Sequence, residues 1–335
     1  MADARDLREA REQGSFKATE DLVELEVDTS NPIDVFTVIE DAGIWLFFLP
    51  MGNALGAFLD RGAKGIMINI GRPLSVQRLT AAHEFGHFRL GHRTSVDPEE
   101  TIQGAGNREA QEVAAQAYAL DFIMPLELVE RQWEILRLPA AKRDLTAREV
   151  YGLSLAIGIS YRACIVQLSS MAKISKVQAV EFLKWRPKDL KRLMHGVGPA
   201  NPWADVWALT KADSGRILSI RVDDEVSIEL AEVPSTGFRW IVEGERFGAD
   251  SYLKLVADEF EGTADRQPDL IGAGGHRYVA VRAIKEGQQV LTLRLARFWE
   301  TTAPPSDSFQ ITCLVGPSPT GNQPMGLRPD RARSL

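Results

Sequence analysis

Apolar and polar positions along the chain fall into two textures, a mixed helix-and-strand pattern and then a run of short alternating strands. Residues 4 to 25 carry helix formers and charge, Asn31-Pro32 breaks the pattern, and Asp34 to Ala42 reads as a short helix stopped by Gly43. Three apolar runs follow, Ile44 to Leu49, Ala54 to Leu59 and Gly65 to Ile70, which predict strands, with Arg61-Gly62 as turn material. Val76, Leu79, Ala82, Gly86 and Leu90 then recur at helical spacing, with Ser75 as the expected cap and Gly91 as the stop. A polar loop from His92 to Gly106 leads to Asn107, expected to cap a helix that runs to about Ile123 and is closed by Pro125. Residues 145 to 175 predict a helical pair: Thr146 with Glu149 makes a capping box, Gly158 ends the first helix and Ser160 caps the second. Gly196 to Pro202 reads as a linker. Beyond it, Ile217 to Ile220, Val226 to Leu230, Trp240 to Val242, Tyr278 to Arg282, Val290 to Leu295 and Phe309 to Val315 are strand-length, and Gly, Pro and Asp clusters separate them. That is the rhythm of a β-sandwich.

With 335 residues the chain has room for two or three cores, and 44% apolar and 25% charged residues are ordinary for a soluble protein. A net charge of −7 argues against broad binding to nucleic acid or an anionic membrane. Met1 to Gln13 is studded with charge and lacks the apolar core of a signal peptide, and no run reaches a membrane-spanning length, so a cytoplasmic location is expected. Cys164 and Cys313, each beside apolar residues, read as buried thiols.

The candidate chemistry is concentrated in His83-Glu84-Phe85-Gly86-His87. Residues four apart on a helix share a face, so both imidazoles can reach one zinc ion while Glu84 projects toward a metal-bound water as general base. With only five His in the chain, a chance match has odds on the order of one in a hundred. Gly86 inside the helix costs about 1 kcal/mol against Ala, which implies a close approach to the backbone there. A His six residues after His87 would complete one known pattern, but position 93 is Arg. A Glu on the second helix is the other common third ligand, with Glu109 and Glu112 as candidates. Glu112 is preferred because the face it shares with Ala115, Gln116 and Ala119 is alanine-rich, and small residues there let the helix pack tightly against the zinc helix. Zn²⁺ is the ion expected, although two His and a carboxylate also suit iron or manganese.

The run Arg78 to His87, closed by Leu90 and His92, resembles the zinc helix of the ImmA/IrrE metallopeptidases. Glu112 to Ala119, ending in Phe122-Ile123-Met124-Pro125, resembles that family's second helix. The resemblance covers roughly residues 25 to 130. It implies His83, His87 and Glu112 as metal ligands and Glu84 as the catalytic residue, with Gln116 standing where the family usually has Asn. It also implies a helix-turn-helix transcriptional repressor as protein substrate and a helix-turn-helix-like segment after the catalytic part. Direct DNA binding is not expected of that segment, because Tyr161 to Ala172 offers only Arg162.

Pro234 to Trp240, Gly272 to Gly275 and Arg297 to Trp299 resemble, in that order, the three loops of chagasin-like cysteine-peptidase inhibitors, an immunoglobulin-like fold. Phe298 stands where that family typically has Pro. The resemblance covers about residues 206 to 317. It implies contacts to a cysteine peptidase or a regulatory protein through Thr236, Gly237, Phe238, Trp240, Gly272, Gly274, Gly275, Arg297 and Trp299. Gly-rich tips let backbone enter a groove, and an exposed Trp adds a large rigid contact. The expected architecture is therefore multidomain: an α+β zincin-like metallopeptidase (1–135), a helical helix-turn-helix-like subdomain (136–198), a linker (199–205), an all-β immunoglobulin-like sandwich (206–317) and a disordered tail (318–335). The expected function is a zinc endopeptidase. The alternative is a protein-binding module or cysteine-peptidase inhibitor with a vestigial peptidase domain.

Overall fold

The computed structural model describes residues 4–59, 64–92, 96–98, 110–141, 144–195, 199, 201, 203–243, 250–262, 274–297, 299 and 304–316. They form two compact units that divide after Trp185. Arg61-Gly62, Asn107, Glu109, Gly272, Phe298, most of the expected linker and the expected tail lie outside the described residues.

In the first unit, α1 (Ala4–Glu24) and α2 (Val35–Asp41) precede β1 (Trp45–Leu49), β2 (Ala54–Leu59) and β3 (Gly65–Asn69), and α3 (Leu74–Arg89) follows. The expected strands are present, and Gly43 adopts the left-handed φ of 78° that ends α2. β1 pairs parallel with β3, and β2 lies antiparallel to β3. A short strand, β4 (Val96–Pro98), falls within the expected polar loop and pairs antiparallel with β2, giving the order β1-β3-β2-β4. α3 starts two residues earlier than expected, with Pro73 at its N-cap and no side-chain cap, so Ser75 lies in the first turn. Pro is well suited to a helix start because its fixed φ is pre-organised and no N–H is missed there.

α4 (Ala110–Ile123) packs against both α3 and α1. Ala10, Gly14 and Ala18 line α1 at four-residue spacing and are buried, and a Cβ on Gly14 would collide with the backbone carbonyl of Ala114. The helices can therefore approach only because of this small stripe. Buried Asp21 ties the packing together: it accepts hydrogen bonds from Arg89 Nη2 at 2.5 Å and Nε at 2.7 Å, and from the Tyr118 hydroxyl at 2.8 Å. Burial alone would raise the Asp21 carboxyl, but hydrogen bonds from Arg89, Tyr118 and Lys17 hold it below its ordinary value.

Pro125, expected only to close α4, is also the N-cap of α5 (Leu126–Ile135). α6 (Ala147–Ile157) carries the expected reciprocal Thr146–Glu149 box and ends at Gly158 with φ 78°. Ser160 accepts from the Ala163 N–H to start α7 (Tyr161–Ser170). The two helices bend by 100°, within the range of a helix-turn-helix. α8 (Lys176–Leu183) completes this part. Among the described residues no single helix is long and apolar enough to cross a membrane.

The second unit begins earlier than the expected linker. α9 (Pro187–His195) packs on β5 (Val206–Thr210): buried Lys191 donates to Ala204 O at 2.6 Å, and the Met194 carbonyl accepts from Ser227 Oγ at 3.1 Å. β6 (Ile217–Arg221), β7 (Glu225–Glu232), β8 (Arg239–Val242), β9 (Leu253–Gly262), β10 (Gly275–Ala283), β11 (Gly287–Ala296) and β12 (Asp307–Gly316) follow. They make two four-stranded sheets, β5-β7-β10-β9 and β6-β12-β11-β8. Alternating inward residues of both sheets, among them Ile228, Val279, Leu293, Phe309 and Ile311, form one core. Cys164 and Cys313 are buried and free; burial raises both thiols, that of Cys313 to about 12.

Candidate functional site

α3 places His83, Glu84 and His87 in the interior of the first unit, and α4 brings Glu112 against them. His83 Nε2 lies 3.1 Å from His87 Nε2 and 3.3 Å from Glu112 Oε2, and His87 Nε2 lies 3.4 Å from the same oxygen. A tetrahedral ion with bonds of about 2.0–2.1 Å holds its ligand atoms about 3.3–3.4 Å apart. The triangle thus has the size of one face of a zinc coordination tetrahedron, and its donors, two imidazole nitrogens and one carboxylate oxygen, suit that ion. Burial works to raise the Glu112 carboxyl, but hydrogen bonding to His83 and His87 outweighs it and holds Glu112 well below the carboxylate range. The charged form, the one that binds a cation, is favoured.

The surroundings explain two glycines. A Cβ on Gly86 would stand 2.8 Å from Cδ1 of Tyr118, so the close approach expected at Gly86 is that of an α4 aromatic ring. A Cβ on Gly56 of β2 would collide with the Thr80 methyl and stand 3.1 Å from Glu84 Oε1. β2 therefore runs directly beside the candidate general base, and only a residue without a side chain fits there.

His92, which the sequence places only at the close of the zinc-helix run, lies against His87. Gly91 turns the chain with φ 68°, the His92 N–H bonds the His87 carbonyl at 2.9 Å, and the two Nδ1 atoms lie 3.0 Å apart. Burial, then the neighbouring His87, depresses His92 to about 4. A helix-terminal Gly followed by His, one turn past a ligand, was the available signal.

In the second unit the loops after β7 and β11 meet. Gly237 has φ 79°, and a Cβ there would stand 2.7 Å from the Trp299 ring. Arg297 Nε donates to Thr236 O at 3.3 Å, and its guanidinium lies 4.6 Å from the centre of the Phe238 ring. Trp299 is 56% exposed. Thr236, Gly237, Phe238, Arg297 and Trp299 thus form one cluster. Trp240 differs from the expected loop contact: it is 3% exposed, belongs to the core and donates through Nε1 to Ala231 O at 2.9 Å. The alternation of β8 turns its side chain inward. Gly275 also lies within the sheet, paired with Glu232 and Gly262, where a side chain would collide with Glu261 O. Gly274 packs beside Val233.

The family model of the IrrE N-terminal-like domain matches residues 39–157, and that of the chagasin family of peptidase inhibitors matches residues 219–313. Chagasin of Trypanosoma cruzi is 31% identical over 107 residues, covering 32% of this chain and 94% of that protein. The chain belongs to the chagasin family, fused to an IrrE-like domain. Among solved structures, a cysteine protease inhibitor from Entamoeba histolytica aligns with 23% identity and a TM-score of 0.31, covering 35% of this chain and 100% of that one. Amebosin aligns with 23% identity and a TM-score of 0.25, covering 34% and 100%. The histidine and Glu112 cluster falls within the IrrE-like match, and the Gly237–Trp299 cluster within the chagasin-family match.

Proposed function

We propose that the IrrE-like domain is a zinc-dependent endopeptidase of zincin-like fold, acting in the cytoplasm on a regulatory protein of the helix-turn-helix repressor class. The observation that carries this is the convergence of His83 Nε2, His87 Nε2 and Glu112 Oε2 into a triangle of zinc size, with Glu84 next to His83 on the same helix. His83, His87 and Glu112 would hold the ion, which would act as the Lewis acid that acidifies a water and polarises the scissile carbonyl. Glu84 takes the water's proton and delivers it to the leaving amine. Its buried position beside Gly56 keeps competing solvent away from that transfer. The repressor substrate rests on the family resemblance alone.

The chagasin-like domain, of immunoglobulin-like fold, serves protein recognition in this proposal, with a papain-type peptidase or a regulatory protein as its partner. The exposed Trp299 packed on Gly237 favours it. Metal analysis of the purified chain beside Glu112→Ala tests the first part. About one zinc per parent chain, strongly reduced in the variant, is expected. Glu84→Gln should keep the zinc and lose cleavage. A folded parent that takes up no zinc, or an active Glu84→Gln, would refute the peptidase assignment and leave the inhibitor or binding-module reading.

A further inference from the structure

The contact that the zinc proposal leaves unused is the one behind His87. We infer that His92 is a positioning residue that fixes the tautomer and ring orientation of His87. This rests on the metal assignment above. If His87 ligates through Nε2, its Nδ1 must carry the proton, and a ring with an unsatisfied Nδ1–H is free to rotate or to adopt the wrong tautomer. His92 Nδ1 lies 3.0 Å from His87 Nδ1, on the side of that ring opposite the atom facing His83 and Glu112. Two imidazole nitrogens at that distance share one proton between a donor and an acceptor. His87 donates, His92 accepts, and the His92 proton sits on its Nε2.

The chain delivers this acceptor by a local device. Leu90 N–H bonds Gly86 O at 2.9 Å and closes the last turn of α3. Gly91 then enters the left-handed region at φ 68°, which brings the His92 N–H to the His87 carbonyl at 2.9 Å. One residue thereby satisfies an orphan carbonyl of the helix end with its backbone and the ligand's ring with its side chain. A Cβ on Gly91 would meet nothing within 4 Å, so its requirement there is conformational rather than steric.

The test compares zinc affinity, measured by competition with a chromogenic chelator, for the parent, His92→Ala and His92→Gln, with thermal unfolding of each metal-free chain as control. Loss of an outer partner of a ligating His typically weakens metal binding about 10- to 100-fold. His92→Ala is expected to show that loss with an unchanged metal-free melting temperature. His92→Gln, whose side-chain oxygen is an acceptor, is expected to recover most of it. Gly91→Ala should weaken zinc binding in the same direction, because it displaces His92 while leaving the side chain in place. Parent-like affinity in His92→Ala would overturn the inference, as would a His92→Gln no better than His92→Ala. A parent that binds no zinc would instead bring down the metal assignment, and the parent measurement alone separates that case.

Discussion

Gly86→Ala is a perturbation whose sign the structure decides. On an exposed helix the change stabilises by about 1 kcal/mol, because Ala is the better helix former. Here the added methyl would stand 2.8 Å from Tyr118 Cδ1, 3.1 Å from Cγ and 3.2 Å from Cβ. Carbon atoms settle at about 3.5–4.0 Å, so the ring must retreat by roughly 0.7 Å. It has little freedom to do so. Its hydroxyl is held by Asp21 at 2.8 Å, its face stacks on Phe122 with centroids 5.4 Å apart, and Phe85 meets it edge-on. Overpacking of this kind costs about 1–3 kcal/mol, enough to cancel the propensity gain and leave a net loss of about 1 kcal/mol. α4 must move with the ring, and it carries Glu112, so zinc affinity should fall together with stability. Denaturant unfolding and chelator competition measure both. A cycle with Tyr118→Leu isolates the clash, since the Gly86→Ala penalty should shrink or reverse when the ring is absent. A Gly86→Ala chain that is more stable than the parent and binds zinc equally well would show that α3 and α4 are not in tight register at this point.

Other expectations concern charge and the two tryptophans. Asp21→Ala leaves the Tyr118 hydroxyl without its acceptor and Arg89 with only Glu24, 2.7 Å from Nη2, and should cost about 1–3 kcal/mol in denaturant melts at neutral pH. Because the folded state lowers the Asp21 pKa, its contribution is present above the ordinary carboxylate range and is lost as pH falls through the folded value, so the gap to Asp21→Ala should narrow in acid. Asp224 behaves oppositely: burial, then the Asp205 charge, raises it from 3.8 to about 6. The second unit should therefore lose about 3 kcal/mol as pH rises from below 4 through 6, and Asp224→Asn should flatten that slope in urea melts. Trp240→Ala should unfold the sandwich or cost about 3–5 kcal/mol, whereas Trp299→Ala should leave its melting unchanged and weaken inhibition of a papain-type peptidase at least tenfold, in about the range of an interface hot spot.

Features closed within four or five residues were legible in the sequence. The Thr146–Glu149 box, the Gly158 stop and the Ser160 cap are local hydrogen bonds, and the alternation of β6, β7 and β10 to β12 reports which face is buried. The H-E-x-x-H spacing and the small residues beside Glu112 likewise pointed to one helix face meeting another. β9 escaped notice because Lys254, Asp258, Glu259 and Glu261 mask its period, and only its ladder with β10 makes it a strand. β4 is three residues long and exists through its pairing with β2. Trp240 and Trp299 look equivalent as letters, yet one fills the core and the other faces solvent, a difference set by strand direction and by the packing of a second sheet. The H-E-x-x-H spacing alone names side chains able to ligate an ion and the helix that carries two of them. Helix packing brings Glu112, twenty-five residues downstream of His87, beside them, because that separation is closed only when the small stripe of α1, the bare Gly86 and the buried Asp21 hold α4 in place.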